Sequence, residues 1–405
     1  MRCTRWTVAL VALVALALGA CGDDDGGTNN ANDNNANQNN ANDNNANDNN
    51  ANQNNNNQPP TEICDNQTDD DGDSDVDCDD ADCLGDPACG RWLYTQGNRI
   101  YRPDGTVWQG RGANIQDTRS CNACTWYPPD VDEVKRRVDA LVDDWGADFM
   151  RLTLESYDSA DGRTHWQSFL DDADYLADII DIVDHVGEKP DAYVLVSLWI
   201  DPGHSSLGWP TADTITAWQT LAAQFLDYDY VLFGLVNEPE SNFDGSLDAD
   251  CWTAMNDTVQ AIRDVEDGAG TPHHIITVQG TRAWARVLDY YLTHPITAGG
   301  GDNIAYETHV YDASSEFADR FETPSQTLPV IIGEFGPASG YMTLPDCQAL
   351  VDSAETLQVP YLAWTFHMRC SPDLLVDHSN GGCGADMVLE PTDWGQLLMD
   401  ALAAP

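Results

Sequence analysis

Positively charged residues are scarce in this chain of 405 residues, which has 18 lysines and arginines against 68 aspartates and glutamates. Lysine occurs only at positions 135 and 189, and residues 22–89 contain no basic residue. Residues 90–405 hold 50 acidic and 16 basic residues, so this part alone has a net charge of −34. Such a surface repels nucleic acid and anionic lipid, so we exclude both as partners and expect a neutral substrate.

Long hydrophobic runs are also missing, since no segment approaches the ~18 uninterrupted apolar residues of a membrane-spanning helix. A shorter apolar run, residues 6–18, follows Arg2 and Arg5 and leads into the sequence LGAC at 18–21. This arrangement is typical of a secretory signal peptide. LGAC resembles a bacterial lipobox, which implies cleavage before Cys21 and lipid attachment to its sulfur, with ordinary signal cleavage as the alternative. We expect residues 1–21 to be a lipoprotein signal and the mature protein to be exported, then held at the bacterial cell envelope or surface, or released.

Common cofactor signatures are absent, because the chain has no HExxH motif, no P-loop and no dinucleotide-binding fingerprint. We therefore expect the chemistry to need no cofactor. An even number of cysteines remains after Cys3 and Cys21 are set aside, which predicts disulfides rather than free thiols in an exported protein. Cys121 and Cys124 form a single CxxC pair, for which a structural role is favoured over a redox or zinc site. The ten cysteines are Cys64, Cys78, Cys83, Cys89, Cys121, Cys124, Cys251, Cys347, Cys370 and Cys383.

Residues 22–61 contain a short repeat, in which the units NNAND and NNANQ recur five times over 29–53. The repeat has no apolar residue larger than alanine, so it cannot bury enough surface to offset its ordering entropy. We expect a disordered linker here.

Residues 62–89 are rich in aspartate and cysteine and have the oxygen-ligand spacing of an EF-hand-type calcium loop. Ser74 replaces the glycine usual at position 6, and an aspartate replaces the usual glutamate at position 12. The segment resembles dockerin and thrombospondin type-3 calcium repeats, so we expect a structural calcium site, with a solvated acidic spacer or a docking segment as alternatives. The predicted ligands are Asp69, Asp71, Asp73, Asp75, Asp77 and Asp80.

Residues 90–405 read as one folded domain that opens with a β-hairpin around Gly97 and Asn98. Apolar runs then alternate with amphipathic stretches, which indicates a parallel sheet, and eight runs suggest a closed (β/α)8 TIM barrel. The predicted strands are 110–116, 147–154, 192–200, 230–236, 274–279, 303–309, 328–334 and 359–366, and the predicted helices include 130–144, 165–186, 211–226, 247–266 and 344–357.

The C-terminal ends of barrel strands carry the active site in this fold. Glu238 follows the fourth predicted strand in YVLFGLVNEPE, and Glu334 ends the seventh in PVIIGEFGP. Opposed strands direct their terminal side chains across one opening, so these carboxylates could flank a scissile glycosidic bond. Retention of configuration needs carboxyl groups ~5–5.5 Å apart, whereas inversion needs a wider gap. The other chemistry-bearing residues at strand ends are Asn114, Arg151, Trp199, Asn237, Gln279, His309, Tyr311 and Trp364.

Six motifs occur in order at these strand ends: RGANI (111–115), GADFMRL (146–152), LVNEPE (235–240), THVYD (308–312), IIGEFGP (331–337) and LAWTF (362–366). On these motifs, residues 91–402 resemble the retaining glycoside hydrolases of clan A, and most of all family 5, which contains cellulases and mannanases.

The resemblance implies a role for each matched residue. Glu238 would be the acid/base and Glu334 the nucleophile, and Asn237 would bind the sugar 2-hydroxyl. Arg151 and Tyr311 would hold Glu334 ionised and oriented. The remaining matches are supporting residues: Asn114, His309 beside the acid/base, and Trp364 as an aromatic face for the sugar.

One departure from the family is visible at the end of the third strand. The family usually has histidine there, whereas this chain has Trp199, with His204 five residues later. Both are candidate pocket residues.

The sequence therefore predicts a monomeric, exported retaining endo-β-glycanase that acts on a β-1,4-linked polysaccharide such as cellulose or another β-glucan. Its partners would be a polysaccharide or oligosaccharide and, only through the lipid anchor, a membrane. A β-mannanase of the same family is one alternative. The other is a catalytically silent carbohydrate-binding surface lipoprotein.

Overall fold

The computed structural model describes residues 62–64, 66, 68–72, 76, 83, 89–119, 130–154, 168–198, 208–239, 242–378 and 388–404. The predicted signal peptide with Cys21 and the predicted linker lie outside these residues. So do four of the predicted calcium ligands, Asp73, Asp75, Asp77 and Asp80, and the predicted pocket residues Trp199 and His204.

Eight parallel strands form a closed barrel, which confirms the predicted (β/α)8 fold. Each strand begins one or two residues after its predicted start. The order around the barrel follows the chain, and the last strand closes the ring by pairing with both the strand before it and the first strand. The barrel strands are β3 (Arg111–Gln116), β4 (Phe149–Leu154), β5 (Tyr193–Leu198), β6 (Val231–Gly234), β7 (Ile276–Gln279), β8 (Ile304–Val310), β9 (Val330–Phe335) and β10 (Tyr361–Ala363).

A two-stranded antiparallel hairpin, β1 (Tyr94–Gln96) and β2 (Arg99–Tyr101), precedes the barrel at the predicted turn. Just after it, Trp108 is fully buried and packs edge-on against Phe149 and Tyr193, with ring centroids 4.9 and 5.3 Å apart. Those two residues begin β4 and β5, so the hairpin segment fills the N-terminal end of the barrel. The C-terminal end of the barrel is not filled by this segment, and it is the end where an active site is expected in this fold.

The helices pack outside the barrel, and several of them start at a side chain that caps the first turn. Asp130, Thr211, Thr343 and Thr392 each accept a hydrogen bond from a backbone N–H of the first turn, which satisfies a donor left free at a helix start. Every residue of the barrel strands except Arg111 is buried, because the helices cover the outer face of the barrel. The helices are α1 (Val131–Asp139), α2 (Ser168–Asp171), α3 (Ala173–Gly187), α4 (Ala212–Gln224), α5 (Asp248–Ala269), α6 (Leu344–Leu357) and α7 (Asp393–Leu402), the last of which was not predicted.

The prediction that all ten cysteines form disulfides is wrong for two of them. Cys251 on α5 and Cys347 on α6 are free and fully buried in the core between helices and strands. Burial raises the pKa of both thiols, that of Cys347 to about 12. They act as small apolar side chains on inward helix faces, a role that counting cysteines does not detect. Cys64 and Cys83 do form a disulfide, and Cys89 and Cys370 are disulfide-bonded.

Two of the predicted calcium ligands, Asp69 and Asp71, belong to the described residues. One carboxylate oxygen from each and one from Glu62 lie within 4.8 Å of one another. Glu62 is buried, and it was not among the predicted ligands. Three converging carboxylates fit the oxygen ligands that a hard cation prefers.

Within the described part of the chain, no helix has both the length and the apolar character needed to cross a membrane.

Candidate active site

A cleft of about 580 Å³ opens at the C-terminal end of the barrel. It brings together five of the predicted site residues, while three more, Asn114, Arg151 and His309, are fully buried on the strands beneath it. Trp284, Arg286, Tyr341, Ser371 and Pro372 complete the lining. The five predicted lining residues are Asn237, Glu238, Tyr311, Glu334 and Trp364.

The two glutamates face each other across the cleft. One carboxylate oxygen of Glu238, one of Glu334 and a ring nitrogen of His309 all lie within 4.8 Å of one another. The side chain of Glu334 is only 6% exposed, whereas that of Glu238 is 26% exposed. The pair therefore consists of one enclosed carboxylate and one that solvent reaches.

Arg151 connects most of the buried polar groups below the cleft. Its Nη1 donates to Glu334 Oε1 at 2.9 Å and to Asn114 Oδ1 at 3.0 Å. Its Nη2 donates to Asn237 Oδ1 at 2.8 Å and to Ser197 Oγ at 3.0 Å. Because the oxygen of Asn237 is held by Arg151, its amide nitrogen is the group available to a ligand in the cleft.

Opposing influences act on the Glu334 carboxyl. Burial raises its pKa above the usual glutamate value, the negative charge of Glu238 adds to that, and the charges of His309 and Arg151 act against it. Tyr311 Oη donates a hydrogen bond to Glu334 Oε2 at 2.9 Å, which also favours the ionised form. Burial and the neighbouring carboxylates raise the pKa of Tyr311 itself, so this hydroxyl remains a donor.

His309 lies between three carboxylates. Its Nδ1 is 2.9 Å from Glu238 Oε1 and 3.5 Å from Glu334 Oε2, and its Nε2 is 3.0 Å from Glu307 Oε1. Burial alone would lower the pKa of His309, but the three negative neighbours raise it to about 9. The imidazole is therefore a cation at neutral pH.

Glu307 was not predicted as a site residue. It is fully buried, and its position on β8 two residues before His309 places both side chains on the same face of the strand. The spacing of two residues between Glu307 and His309 on one strand was the signal in the sequence that could have identified Glu307 as a site residue.

Besides Tyr311, three aromatic side chains border the cleft at different depths. Trp364, after β10, is 6% exposed and its Nε1 donates to the Cys370 carbonyl at 3.0 Å. Trp284 is 39% exposed and Tyr341 69% exposed. An exposed ring beside a cleft offers the flat apolar surface that packs against the C–H faces of a sugar.

The backbone ties Trp284 to the segment that carries Glu238. The Trp284 N–H donates to the carbonyl of Pro239 at 3.0 Å. Trp284 therefore belongs to the half of the cleft beside Glu238.

Residues 108–369 match the cellulase family, glycosyl hydrolase family 5. The endoglucanase MaCel5A of Microbulbifer sp. strain ALW1 is 28% identical over 295 residues, which cover 68% of this chain. The chain spans about half, 51%, of the length of that endoglucanase. A mannan endo-1,4-beta-mannosidase of Streptomyces lividans is 23% identical over 335 residues, covering 78% of this chain and 77% of that protein.

Solved structures with the same fold include a beta-glucanase and a beta-mannanase. The beta-glucanase SdGluc5_26A of Saccharophagus degradans, in complex with cellotetraose, superposes with a TM-score of 0.60 at 19% identity over 77% of this chain and 93% of that one. The beta-mannanase of Streptomyces thermolilacinus, with mannohexaose, has a TM-score of 0.57 at 21% identity over 77% and 94%.

Proposed function

The chain belongs to glycosyl hydrolase family 5 and is a glycoside hydrolase, and from this we propose that it is an exported endo-β-glycanase that cleaves a β-1,4-linked glucan with retention of configuration. The observation that carries this proposal is the approach of the Glu238 and Glu334 carboxylates to within 4.8 Å. A close approach of this kind supports the retaining mechanism, whose two carboxyl groups are ~5–5.5 Å apart, over the inverting one, whose carboxyl groups are ~6.5–9.5 Å apart.

In the first step, a carboxylate oxygen of Glu334 attacks the anomeric carbon. Glu238 gives its proton to the glycosidic oxygen as the bond from carbon to that oxygen breaks. In the second step, Glu238 accepts a proton from a water molecule whose oxygen attacks the same carbon and releases Glu334. The greater exposure of Glu238 suits the residue that must meet both the leaving group and this water.

Electrostatics supports the nucleophile role of Glu334. Arg151 donates a hydrogen bond to one carboxylate oxygen of Glu334, and Tyr311 donates one to the other. These two bonds oppose the rise in pKa that burial causes, and they orient the carboxylate. The amide nitrogen of Asn237 would donate to the sugar 2-hydroxyl, a contact that strengthens in the transition state, because the amide oxygen is already held by Arg151.

The choice of glucan over mannan rests on the endoglucanase relative, which has the higher identity of the two. The β-mannanase alternative is supported by the Streptomyces mannosidase, which matches over more of its own length. Export and lipid anchoring rest on residues 1–21 of the sequence. A silent carbohydrate-binding protein is disfavoured because both glutamates are present with hydrogen-bonded partners.

A substrate panel tests the proposal. The purified chain should release oligosaccharides from a β-1,4-glucan, with at most weak activity on mannan, and the first products should have the β configuration by proton NMR. Faster release from mannan would favour the alternative substrate. Binding to any of these polysaccharides without turnover would refute the enzymatic function.

Variants of the two glutamates test their separate roles. Glu334→Gln should abolish turnover of every substrate because no nucleophile remains. Glu238→Ala should lose ~100-fold or more in kcat on a polysaccharide, in line with the 10²–10⁴-fold contribution of general acid catalysis. On an aryl glycoside whose leaving group needs no proton, the first step of Glu238→Ala should be nearly unaffected. Equal losses on both substrates would contradict the assignment.

A further inference from the structure

Glu307 lies under the two catalytic carboxylates and is fully buried. Its carboxylate accepts hydrogen bonds from Thr277 Oγ1 at 2.6 Å and from Gln279 Nε2 at 3.0 Å, and it lies 3.0 Å from His309 Nε2. Arg151 Nε is 3.4 Å from the same carboxylate. A buried charge is tolerated only when it is paired and hydrogen-bonded, and these four side chains meet that requirement for the Glu307 carboxylate.

Three of these partners also hold the catalytic machinery. His309 uses its other ring nitrogen to contact Glu238 Oε1 at 2.9 Å. Gln279 uses its oxygen to accept the backbone N–H of Glu238. Arg151 donates to Glu334 at 2.9 Å. Glu307 is thus connected to the side chain of Glu238 through His309 and to the backbone of Glu238 through Gln279. It is connected to the carboxylate of Glu334 through Arg151.

The strand beside Glu307 leaves space for it. A Cβ on Gly333, next to Glu334, would collide with the Glu307 carboxylate. The glycine in IIGEFGP therefore admits the Glu307 side chain between β8 and β9 at the level of the nucleophile.

We propose that Glu307 is a positioning residue of the glycosidase site, which keeps His309 cationic and orients both His309 and Gln279 toward Glu238. This inference rests on the proposed function, because it concerns the acid/base of the same reaction. A counter-ion that only neutralised Arg151 would not need hydrogen bonds to the two side chains that hold Glu238.

The charges around His309 agree with this role. Glu238, Glu307 and Glu334 contact the imidazole. Arg151 contacts Glu307 and Glu334, and Tyr311 donates a hydrogen bond to Glu334. The pKa of Glu307 is lowered to about 2, although its burial acts in the opposite direction, because Arg151, His309 and Thr277 stabilise the anion. Glu307 thus stays ionised over the whole working range and keeps one negative charge beside His309.

Glu307→Gln removes the charge and keeps the shape. We expect kcat on a β-1,4-glucan oligosaccharide to fall by on the order of 10- to 100-fold, since small misplacements of reacting groups have effects of this size. KM should change little, because Glu307 does not contact the cleft. The pH profile of kcat/KM should gain an ionisation near neutral pH, and the NMR titration of His309, assigned by its absence in His309→Gln, should move to lower pH.

Glu266→Gln is the matched control. Glu266 is also fully buried and accepts hydrogen bonds from an arginine, Arg263, and a histidine, His274. It lies near the start of β7, at the opposite end of the barrel from the cleft. This variant should lose stability through the same kind of deleted charge, yet keep the wild-type pH profile and the wild-type His309 titration.

Glu307→Asp keeps the charge and shortens the side chain. It should retain the wild-type His309 titration and lose part of kcat, and it carries the test if Glu307→Gln does not fold. An unchanged kcat in the folded Gln or Asp variant, or an unmoved His309 titration in Glu307→Gln, would overturn the inference. No turnover by the wild-type chain would instead refute the proposed function, while the NMR titration would still test the contact between Glu307 and His309.

Discussion

At the scale of single residues, Glu238 shows what a catalytic position requires of the backbone. It follows a buried strand with φ at +52°, a left-handed conformation that costs a non-glycine residue free energy. The bond from its N–H to Gln279 Oε1 holds this conformation. Pro239 follows directly and cannot extend the strand. The Asn-Glu-Pro sequence thus ends the strand at the point where the side chain must enter the cleft.

The hydroxyl of Tyr311 gives a prediction at the same scale. Tyr311→Phe removes one donor to the ionised Glu334, so the pKa of Glu334, already raised by burial, should rise further. A nucleophile must be ionised, and the acid limb of kcat/KM should therefore move to higher pH. A hydrogen bond to a charged group is worth ~1.5–3 kcal/mol, so the loss at the acid end should be tenfold or more.

The pH profile of kcat/KM, measured on one soluble oligosaccharide, checks this prediction. Tyr341→Phe is the control, because Tyr341 borders the cleft but is 69% exposed. It should leave the acid limb in place. An acid limb for Tyr311→Phe at or below the wild-type position would contradict the role of the hydroxyl.

At the scale of elements, the segment after β7 forms a fixed platform beside the acid/base. Ala283, Trp284 and Ala285 all have positive φ, between 50° and 61°. Bridges between 280 and 285 and between 282 and 287 close the segment into a tight turn. Gly280 is required there because a Cβ would collide with the Ala285 carbonyl. The turn presents Trp284 to the cleft in one orientation.

Trp284→Ala should therefore weaken the sugar site on the leaving-group side. Truncating a well-packed aromatic contact costs ~2 kcal/mol, so kcat/KM on a long oligosaccharide should fall by on the order of 30-fold. An aryl glycoside with no sugar on that side should lose much less. Phe243→Ala is the control, since Phe243 packs against Trp284 with ring centroids 5.1 Å apart and does not line the cleft. Equal losses on the two substrates for Trp284→Ala would contradict the placement.

At the scale of the whole molecule, the net charge of −50 opposes compact folding through repulsion among the carboxylates. Salt screens this repulsion, so sodium chloride should raise the melting temperature. The calcium site predicted in residues 62–89 remains a prediction, supported by the convergence of Glu62, Asp69 and Asp71. The two effects can be separated because only one of them depends on the identity of the cation.

Calcium chloride should raise the melting temperature more than sodium chloride does at equal ionic strength, and a chelator should reverse only the extra part. In the double variant Asp69→Asn with Asp71→Asn the extra part should be lost while the response to sodium chloride stays. Scanning calorimetry of the full chain measures both. Identical responses to the two salts would refute the calcium prediction.

The strand pattern of the barrel was predictable because period and length are local properties. Eight apolar runs, each bounded by polar residues, fixed the starts of all eight strands to within two residues. Contacts across the barrel were not predictable in the same way. Glu307 was missed because its partners Thr277, Gln279 and Arg151 are remote in sequence, and only the spacing to His309 hinted at it. Cys251 and Cys347 were misassigned because a cysteine that packs as an apolar residue looks the same in sequence as one that is oxidised.

The contacts of Arg151 link catalysis to the thermal stability of the barrel. The guanidinium of Arg151 makes hydrogen bonds to residues on or just after β3, β5, β6 and β9 and an ion pair with Glu307 on β8, so the position of the nucleophile depends on most of the barrel at once. We therefore expect that opening a single strand does not release the nucleophile, and that its release requires opening of the barrel as a whole. Catalysis should therefore survive warming until the barrel itself melts, and thermal inactivation and global unfolding should share one midpoint.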